Sequence, residues 1–429
     1  MDKFYKDENG VIDFPLAVQQ KFHILNEEKA LLKHGKRGGN LNSGQIFRFS
    51  FNVDSERMEK AIQRLFDEND ALRLILVKKD GEYFQRVVED YNFTLETDDL
   101  TSLPEDGRYD AAVAKASVLL NTEIDYYNEL SAKFHLIKLG NEDFMLVIVA
   151  HHWIGDGSTL ALIISEIMKY YNDPSAAKEE AASFIDFVKY EYDFVDSEKG
   201  RKQLAYWKEE LDGYKQLDLS NAAAGDPAVP SDQFAKAGRT ELDAAAKRFS
   251  TSQFNVMLTA YHVALTKILG QSDTIVGFSC ANRLSKRFFR TIGYLSRAVQ
   301  HRLIVHDSDR LCDLLETSKE KSSKNIANQQ TSHYNDNSQF YISYQNFSVN
   351  GNKGFGEKVK AVQIPVKRVL DFFTMLVFEN ENDLNLMFAG DENKFTSDFI
   401  KRLMAYCMTT IKLLSEKPEV TVGEIDSFL

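Results

Sequence analysis

The chain has 429 residues, of which 43% are hydrophobic, and it carries a formal net charge of −12 at pH 7. The length predicts roughly two to three domains, and the acidic balance argues against nucleic acid, whose recognition usually needs a basic face. The N-terminus lacks the apolar core of a signal peptide and no apolar run reaches membrane-spanning length, so we expect a cytoplasmic protein that binds no membrane. The three cysteines are widely separated and suggest neither a disulfide framework nor a zinc site.

Strands and helices alternate in the first part of the chain. An alternating strand is predicted over residues 45–53, and a helix and a hairpin over residues 72–88 follow it, with the turn at Asp80-Gly81. A second hairpin joins an alternating strand at residues 132–139 to the apolar run 144–150 through a polar turn. These elements predict a sheet that is covered by helices.

The second hairpin leads into the most informative segment of the chain, His151-His152-Trp153-Ile154-Gly155-Asp156-Gly157. A helix is predicted next, because Ser158-Thr159 are capping residues and apolar residues recur at helical spacing from Leu160 to Tyr171. His152 is therefore expected on a short loop before a helix N-terminus. There a neutral imidazole can accept a proton from an amine or hydroxyl, and the N–H groups around Gly157 can face negative charge on an acyl oxygen.

Interpretations other than a catalytic one are open for this segment. A histidine at a strand end is more often a satisfied surface or core residue than a catalyst. A metal site made by His151, His152 and Asp156 is weaker still, because adjacent strand residues point to opposite faces and no third nitrogen or sulfur ligand is spaced nearby. We expect Asp156 to tie the loop to an arginine elsewhere in the chain.

The second part of the chain begins after a proline and small residues near residue 175. It contains a long amphipathic helix from Phe254 to Leu269, capped near Ser250–Ser252, and then a strand over residues 274–278. The segment Gly277–Ala281 comes within one residue of the nucleophile elbow of α/β-hydrolases. No apolar helical stripe follows it, and the motif histidine precedes the serine, so a hydrolase is disfavoured.

The pattern His-His-x-x-x-Asp-Gly, between an apolar strand and an amphipathic helix, resembles the signature of the condensation domains of nonribosomal peptide synthetases. These domains belong to the superfamily of CoA-dependent acyltransferases. Similar segments cover almost the whole chain: Pro15–Gln20 with Gln19, Asp67–Arg73 with Leu72 and Arg73, Phe184–Phe187, Tyr206-Trp207, Ala281-Asn282-Arg283, Ile292–Leu295 and Tyr344-Gln345-Asn346. The chain departs from the family at Leu16, at Asn69 and Asp70, at Ser296-Arg297-Ala298 and around His333–Gln339.

The resemblance implies an α/β (α+β) fold of two chloramphenicol-acetyltransferase-like lobes, residues 1–175 and 176–429. Each lobe would be a mixed sheet flanked by helices, with an active-site tunnel between them. The implied catalytic residue is His152, and the residues implied to build the active site are His151, Asp156, Gly157 and Arg283, with Asp156 paired to Arg283 across the lobes. The candidate substrate-binding residues are Tyr294, Arg297 and Gln345. For Arg297 the alternative is that it pairs with a carboxylate of the protein or points to solvent.

Two functions are open on this basis. The first is an acyltransferase that takes an acyl or aminoacyl donor from the 4'-phosphopantetheine arm of a carrier protein, or from CoA, and joins it to a small-molecule amine. An alcohol acceptor would give an ester instead. The second is a non-catalytic module that docks a carrier protein, and the intact motif speaks against it. No bound cofactor and no metal are expected, and the chain is expected to be a free-standing protein or an excised domain.

Overall fold

The computed structural model describes residues 5–6, 11–34, 42–220, 222, 235–332, 338–345, 358–362, 364, 373–379, 384–389 and 394–429. The chain forms two compact units. The first comprises residues 1–194, 281–296 and 347–367, and the second comprises residues 195–280, 297–346 and 368–429. The sequence predicts one division, after residue 175, whereas the first unit also takes in two later segments of the chain. One of these, residues 281–296, is bound to the first unit by the hydrogen bonds described below.

The strands are numbered in chain order. They are β1 (Tyr5–Lys6), β2 (Ile12–Pro15), β3 (Asn42–Phe49), β4 (Leu74–Lys79), β5 (Glu82–Val87), β6 (Glu96–Asp99), β7 (Ala132–Gly140), β8 (Asp143–His151), β9 (Ala235–Ala237), β10 (Asp273–Cys280), β11 (Arg297–Ile304), β12 (Phe340–Gln345), β13 (Val359–Val362), β14 (Phe373–Glu379) and β15 (Leu384–Ala389). In the described residues the first unit holds two sheets, of order β1-β2-β5-β4 and β13-β3-β8-β7-β6. The second unit holds one sheet, of order β11-β10-β12-β14-β15-β9.

The helices are numbered in the same way. They are α1 (Val18–His34), α2 (Ser55–Glu68), α3 (Glu105–Asn121), α4 (Gly157–Asn172), α5 (Phe184–Asp196), α6 (Glu198–Glu210), α7 (Arg239–Arg248), α8 (Gln253–Leu269), α9 (Leu311–Ala327) and α10 (Ser397–Glu416). Short 3-10 turns cover Asp70–Arg73, Lys286–Phe288, Gln329–Thr331 and Val422–Phe428. Among the described residues, we find no helix that combines the length and the apolar character needed to cross a membrane.

Both predicted hairpins are confirmed. β4 and β5 are joined by Asp80 at φ 51° and Gly81 at φ 84°, and two successive positive φ angles are typical of the tight turn that matches the twist of a hairpin. β7 and β8 form the second hairpin. β8 lies between β3 and β7, and its side chains alternate between two hydrophobic clusters, so it reads as a continuous apolar run.

The sequence correctly predicts the start of α8 but misplaces the cap of α4. Ser252 caps α8, and Gly270, in the left-handed conformation, ends it. α4 is capped by Asp156, whose side chain accepts the N–H of Thr159, and the cap is therefore not Ser158 or Thr159. This difference matters, because the same carboxylate has further partners in the candidate site.

Candidate active site

His152 lies in the loop that joins β8 to α4, as the sequence predicts. β8 ends at His151 and the helix begins at Gly157, so the loop leaves a buried strand and enters a helix N-terminus within a few residues. His152 is half-buried, whereas the side chains of His151 and Asp156 on either side of it are buried. The backbone of His152 is therefore fixed, while its imidazole stays partly accessible to solvent.

Asp156 is the anchor of this loop. Its carboxylate accepts hydrogen bonds from both terminal nitrogens of Arg283, at 2.9 and 3.1 Å, and from the backbone N–H groups of Thr159 (2.9 Å), Leu295 (3.1 Å) and Ser296 (2.9 Å). Burial acts to raise the pKa of this carboxyl, but the positive charge of Arg283 and the hydrogen bonds hold the pKa below its ordinary value. The predicted pairing of Asp156 with Arg283 is confirmed. It lies inside the first unit rather than across two lobes.

The segment around Gly293 is held by the first turn of α4. The hydroxyl of Thr159 donates to the carbonyl of Gly293 at 2.6 Å and accepts the N–H of the same residue at 3.1 Å. Gly293 has φ 153°, and a Cβ atom at this position would lie 2.2 Å from the ring of Phe184. Glycine is therefore required here for its backbone and for its lack of a side chain. The neighbouring Tyr294 is fixed at its main chain as a result.

Three rings meet beside the motif. The ring centroid of His152 lies 4.8 Å from that of Tyr294 and 5.3 Å from that of His23, with which it is stacked. The ring of His23 also stacks on Tyr294 at 5.5 Å, and its Nε2 shares a hydrogen bond of 2.7 Å with the Tyr294 hydroxyl. All three residues belong to the first unit. The imidazole of His152 thus packs against two rings whose side chains are hydrogen-bonded to each other.

Both ring nitrogens of His151 have hydrogen-bond partners within the protein. Its Nδ1 accepts the backbone N–H of Trp153 at 3.3 Å, so Nε2 carries the ring proton and donates to Glu27, also at 3.3 Å. The ring lies edge-on to Tyr126, and His151 and Glu27 are both buried. These contacts support a structural role for His151.

Helix α1 supports the motif residues through three side chains that the sequence does not predict. Gln20 donates to the carbonyl of Trp153 at 2.7 Å, His23 stacks on His152, and Glu27 pairs with His151. The spacing of three and four residues places these side chains on one face of the helix, and all three are buried. In the sequence, the signal that could identify this face of α1 is the set of three polar residues at helical spacing. The resemblance points to Gln19 instead.

The other predicted residues lie elsewhere. Gly157 is the first residue of α4. Arg297 begins β11 in the second unit and is 1% exposed. Gln345 ends β12, and its side chain lies outside the described part, as do Asn346 and residues 333–337. Ser279 lies within β10 and hydrogen-bonds the hydroxyl of Tyr341 at 2.6 Å, so it occupies no nucleophile elbow.

Within the described ranges, no group of three or more histidine, cysteine, aspartate or glutamate residues could hold a metal ion.

A family model described as the Condensation domain matches residues 33–428, which is most of the chain. The chain belongs to the condensation domain family. Surfactin synthase subunit 1 of Bacillus subtilis (strain 168) is 25% identical to it over 413 residues, which cover 90% of this chain and 11% of that protein. Bacitracin synthase 1 of Bacillus licheniformis is 26% identical over 290 residues, which cover 63% of this chain and 5% of that protein. The chain therefore spans only a small part of the length of these relatives.

Solved structures show the same fold. The first condensation domain of the calcium-dependent antibiotic synthetase, in complex with substrate analogue 3a, matches with a TM-score of 0.76 and 16% identity, over 96% of this chain and 98% of that chain. The condensation domain from Monacolin K polyketide synthase matches with a TM-score of 0.78 and 15% identity, over 95% and 98%. The predicted fold class, a two-lobed α/β fold, is confirmed. Condensation domains are acyltransferases that form amide bonds in nonribosomal peptide synthetases.

Proposed function

We propose that this chain joins a thioester-bound acyl or aminoacyl group to an amine, with His152 as the residue that orients and deprotonates the acceptor. The observation that carries the proposal is the setting of His152. Its loop is anchored by the buried Asp156–Arg283 pair, and its ring is packed against His23 and Tyr294. A side chain held in this way is suited to meet a reacting atom in one orientation.

The proposed reaction needs one proton acceptor. The amine nitrogen attacks the thioester carbonyl carbon, a C–N bond forms, and negative charge collects on the carbonyl oxygen. The C–S bond then breaks, and the proton lost by the nitrogen passes through the imidazole of His152 to the departing sulfur. The products are an amide and a free thiol, and the imidazole ends neutral as it began. An amine that is buried without its proton needs less help, and positioning then supplies most of the acceleration.

For the donor we propose the 4'-phosphopantetheine arm of a carrier protein, with CoA as the alternative. This is supported by the relatives, which are peptide synthetases, and by a structure of the starter condensation domain of rhizomide synthetase in complex with C8-CoA and Leu-SNAC. That domain matches this chain with a TM-score of 0.77 and 16% identity, over 96% of this chain and 97% of that chain. An alcohol acceptor would give an ester by the same steps. Tyr294, Arg297 and Gln345 are the proposed substrate contacts.

A release assay tests the proposal. The chain is supplied with acyl-CoA or acyl-loaded carrier protein, with or without a panel of amines and alcohols, and free thiol and product are measured. We expect thiol release that depends on an amine, together with an amide product. An ester product would replace the amide proposal with the alcohol alternative. Carrier binding with no acceptor-dependent thiol release would favour the docking module.

A further inference from the structure

His23 has two separate contacts in the active site. It stacks on His152 with ring centroids 5.3 Å apart and an angle of 24° between the rings. Its Nε2 lies 2.7 Å from the hydroxyl of Tyr294, whose ring in turn contacts His152. His23 is 8% exposed and Tyr294 is 3% exposed, so this hydrogen bond is shielded from water.

Tyr294 is therefore fixed at both ends. Its main chain is held because Gly293 binds Thr159 and because the N–H groups of Leu295 and Ser296 bind Asp156. Its hydroxyl is held by His23 on α1. This second contact fixes the position of the hydroxyl in addition to that of the backbone.

We propose that His23 is a positioning residue of acyl transfer: by holding the Tyr294 hydroxyl and stacking on His152, it fixes the orientation of the His152 imidazole. The inference rests on the proposed function, because it assigns a role in the reaction of that site. His23 transfers no proton itself. The nearby carboxylate of Glu27, four residues later on α1, pairs with His151 and so supports the other motif histidine.

The test uses three single variants, one double variant and one control variant of the full chain. His23→Leu replaces the imidazole by an apolar side chain of moderate size and so removes both the hydrogen bond and the ring stacking. Tyr294→Phe removes only the hydroxyl. His23→Gln replaces the imidazole by an amide group that can hydrogen-bond to the hydroxyl. The double variant combines His23→Leu with Tyr294→Phe. Lys29→Gln, at an exposed position of the same helix, is the matched control.

We expect His23→Leu and Tyr294→Phe each to lower kcat about 10- to 100-fold, since small misplacement of a catalytic group has effects of this order. KM for the donor should change little. The double variant should be no slower than the worse single variant, because the hydrogen bond that Tyr294→Phe removes is already absent in His23→Leu. His23→Gln should recover most of the lost rate, and Lys29→Gln should match the wild type. Circular dichroism and thermal unfolding identify any variant that fails to fold.

The outcomes separate this inference from the proposed function. Wild-type protein that transfers no acyl group to any amine or alcohol overturns both. Wild-type activity together with full kcat in folded Tyr294→Phe overturns the role of the His23–Tyr294 pair alone. Additive losses in the double variant, or no recovery in His23→Gln, overturn it as well.

Discussion

The guanidinium of Arg283 donates to both carboxylate oxygens of Asp156, and both side chains are less than a tenth exposed. One carboxylate thus joins three pieces of the chain: the loop between β8 and α4 (residues 152–156, the motif loop), the first turn of α4 and the segment 281–296. A buried ion pair is not in itself a large source of stability. Removal of one partner is costly, because it leaves the other charge buried and uncompensated.

Asp156→Asn and Arg283→Gln should each lower the free energy of unfolding by about 3–5 kcal/mol and should lower activity as well. The combined variant should lose less than the sum of the single losses, as measured by urea unfolding in a double-mutant cycle. Asp143→Asn, which breaks the more exposed Arg48–Asp143 pair, is the control and should cost about 1 kcal/mol or less. Additive losses for Asp156 and Arg283 would contradict the coupling.

His152→Ala should lower the transfer rate by about 10²–10⁴-fold while the protein stays folded, because this is the usual contribution of a general acid–base group. The measurement is acceptor-dependent thiol release, with thermal unfolding to confirm the fold. His306→Ala removes an exposed histidine of the second unit and should leave the rate unchanged. Unchanged turnover in His152→Ala would refute the role of the imidazole but not the fold.

Gly293→Ala should destabilise the first unit, since the new Cβ would lie 2.2 Å from the Phe184 ring and the φ of 153° is strained for alanine. Backbone strain of this kind costs about 1–3 kcal/mol, and the clash adds to it. Gly140→Ala is the matched control, because its Cβ would come no closer than 3.7 Å to another residue. Equal unfolding midpoints for the two variants would show that Phe184 moves away at little cost.

A buried histidine pair in the second unit predicts sensitivity to acid. His262 and His301 share a hydrogen bond of 2.9 Å, and His262 also binds the hydroxyl of Thr274. Burial lowers the pKa of His301 to about 4, and burial together with the charge of its neighbours lowers the pKa of His262 well below 6.5. Below pH 6.5 the unfolded chain takes up protons at these groups, and the folded chain does so only near the lowered pKa. The stability they contribute is therefore present above pH 6.5 and is lost as the pH falls towards 4.

For His301 alone, the free energy of unfolding should fall by about 2 kcal/mol between pH 7 and pH 5. His301→Gln should flatten this dependence, whatever its effect on stability at pH 7. Urea unfolding at a series of pH values measures the slope, and His306→Gln, at an exposed site, should keep the wild-type slope. A slope that is unchanged in His301→Gln would show that other groups cause the acid sensitivity.

Arg297 is predicted to bind an anionic group of the acceptor or donor. The chain departs from the family at Ser296-Arg297-Ala298, and the planar guanidinium of Arg297 has the donor geometry that suits a carboxylate. Arg297→Asn should reduce the preference for an acceptor that carries a carboxylate over a matched acceptor without one. The ratio of kcat/KM for the two acceptors is the measurement. If the ratio does not change, Arg297 should be treated as structural.

The sequence predicts the local elements of the first unit well. The period-two pattern and the polar turn identify the β7–β8 hairpin, and the resemblance identifies the Asp156–Arg283 pair. The sequence does not identify Asp156 as the cap of α4, because Ser158 and Thr159 are residue types that cap helices equally well. Which of these residues caps the helix depends on where the chain leaves β8.

Contacts between distant segments were harder to foresee. His23 and His152 are separated by more than a hundred residues in sequence, and the face of α1 that meets the motif loop is decided by tertiary packing. The same reason applies to residues 281–296, which follow a strand of the second unit but belong to the first. Neither placement is visible in hydrophobic periodicity.

The polar face of α1 has a practical consequence for recombining such domains. Gln20, His23 and Glu27 each contact one of three consecutive residues, Trp153, His152 and His151. A crossover placed between α1 and β8 would join a motif loop from one parent to a helix from another, and a mismatch there would disturb the imidazole even though the motif itself was intact. Chimeras that inherit both segments from the same parent should retain activity more often than those that divide them.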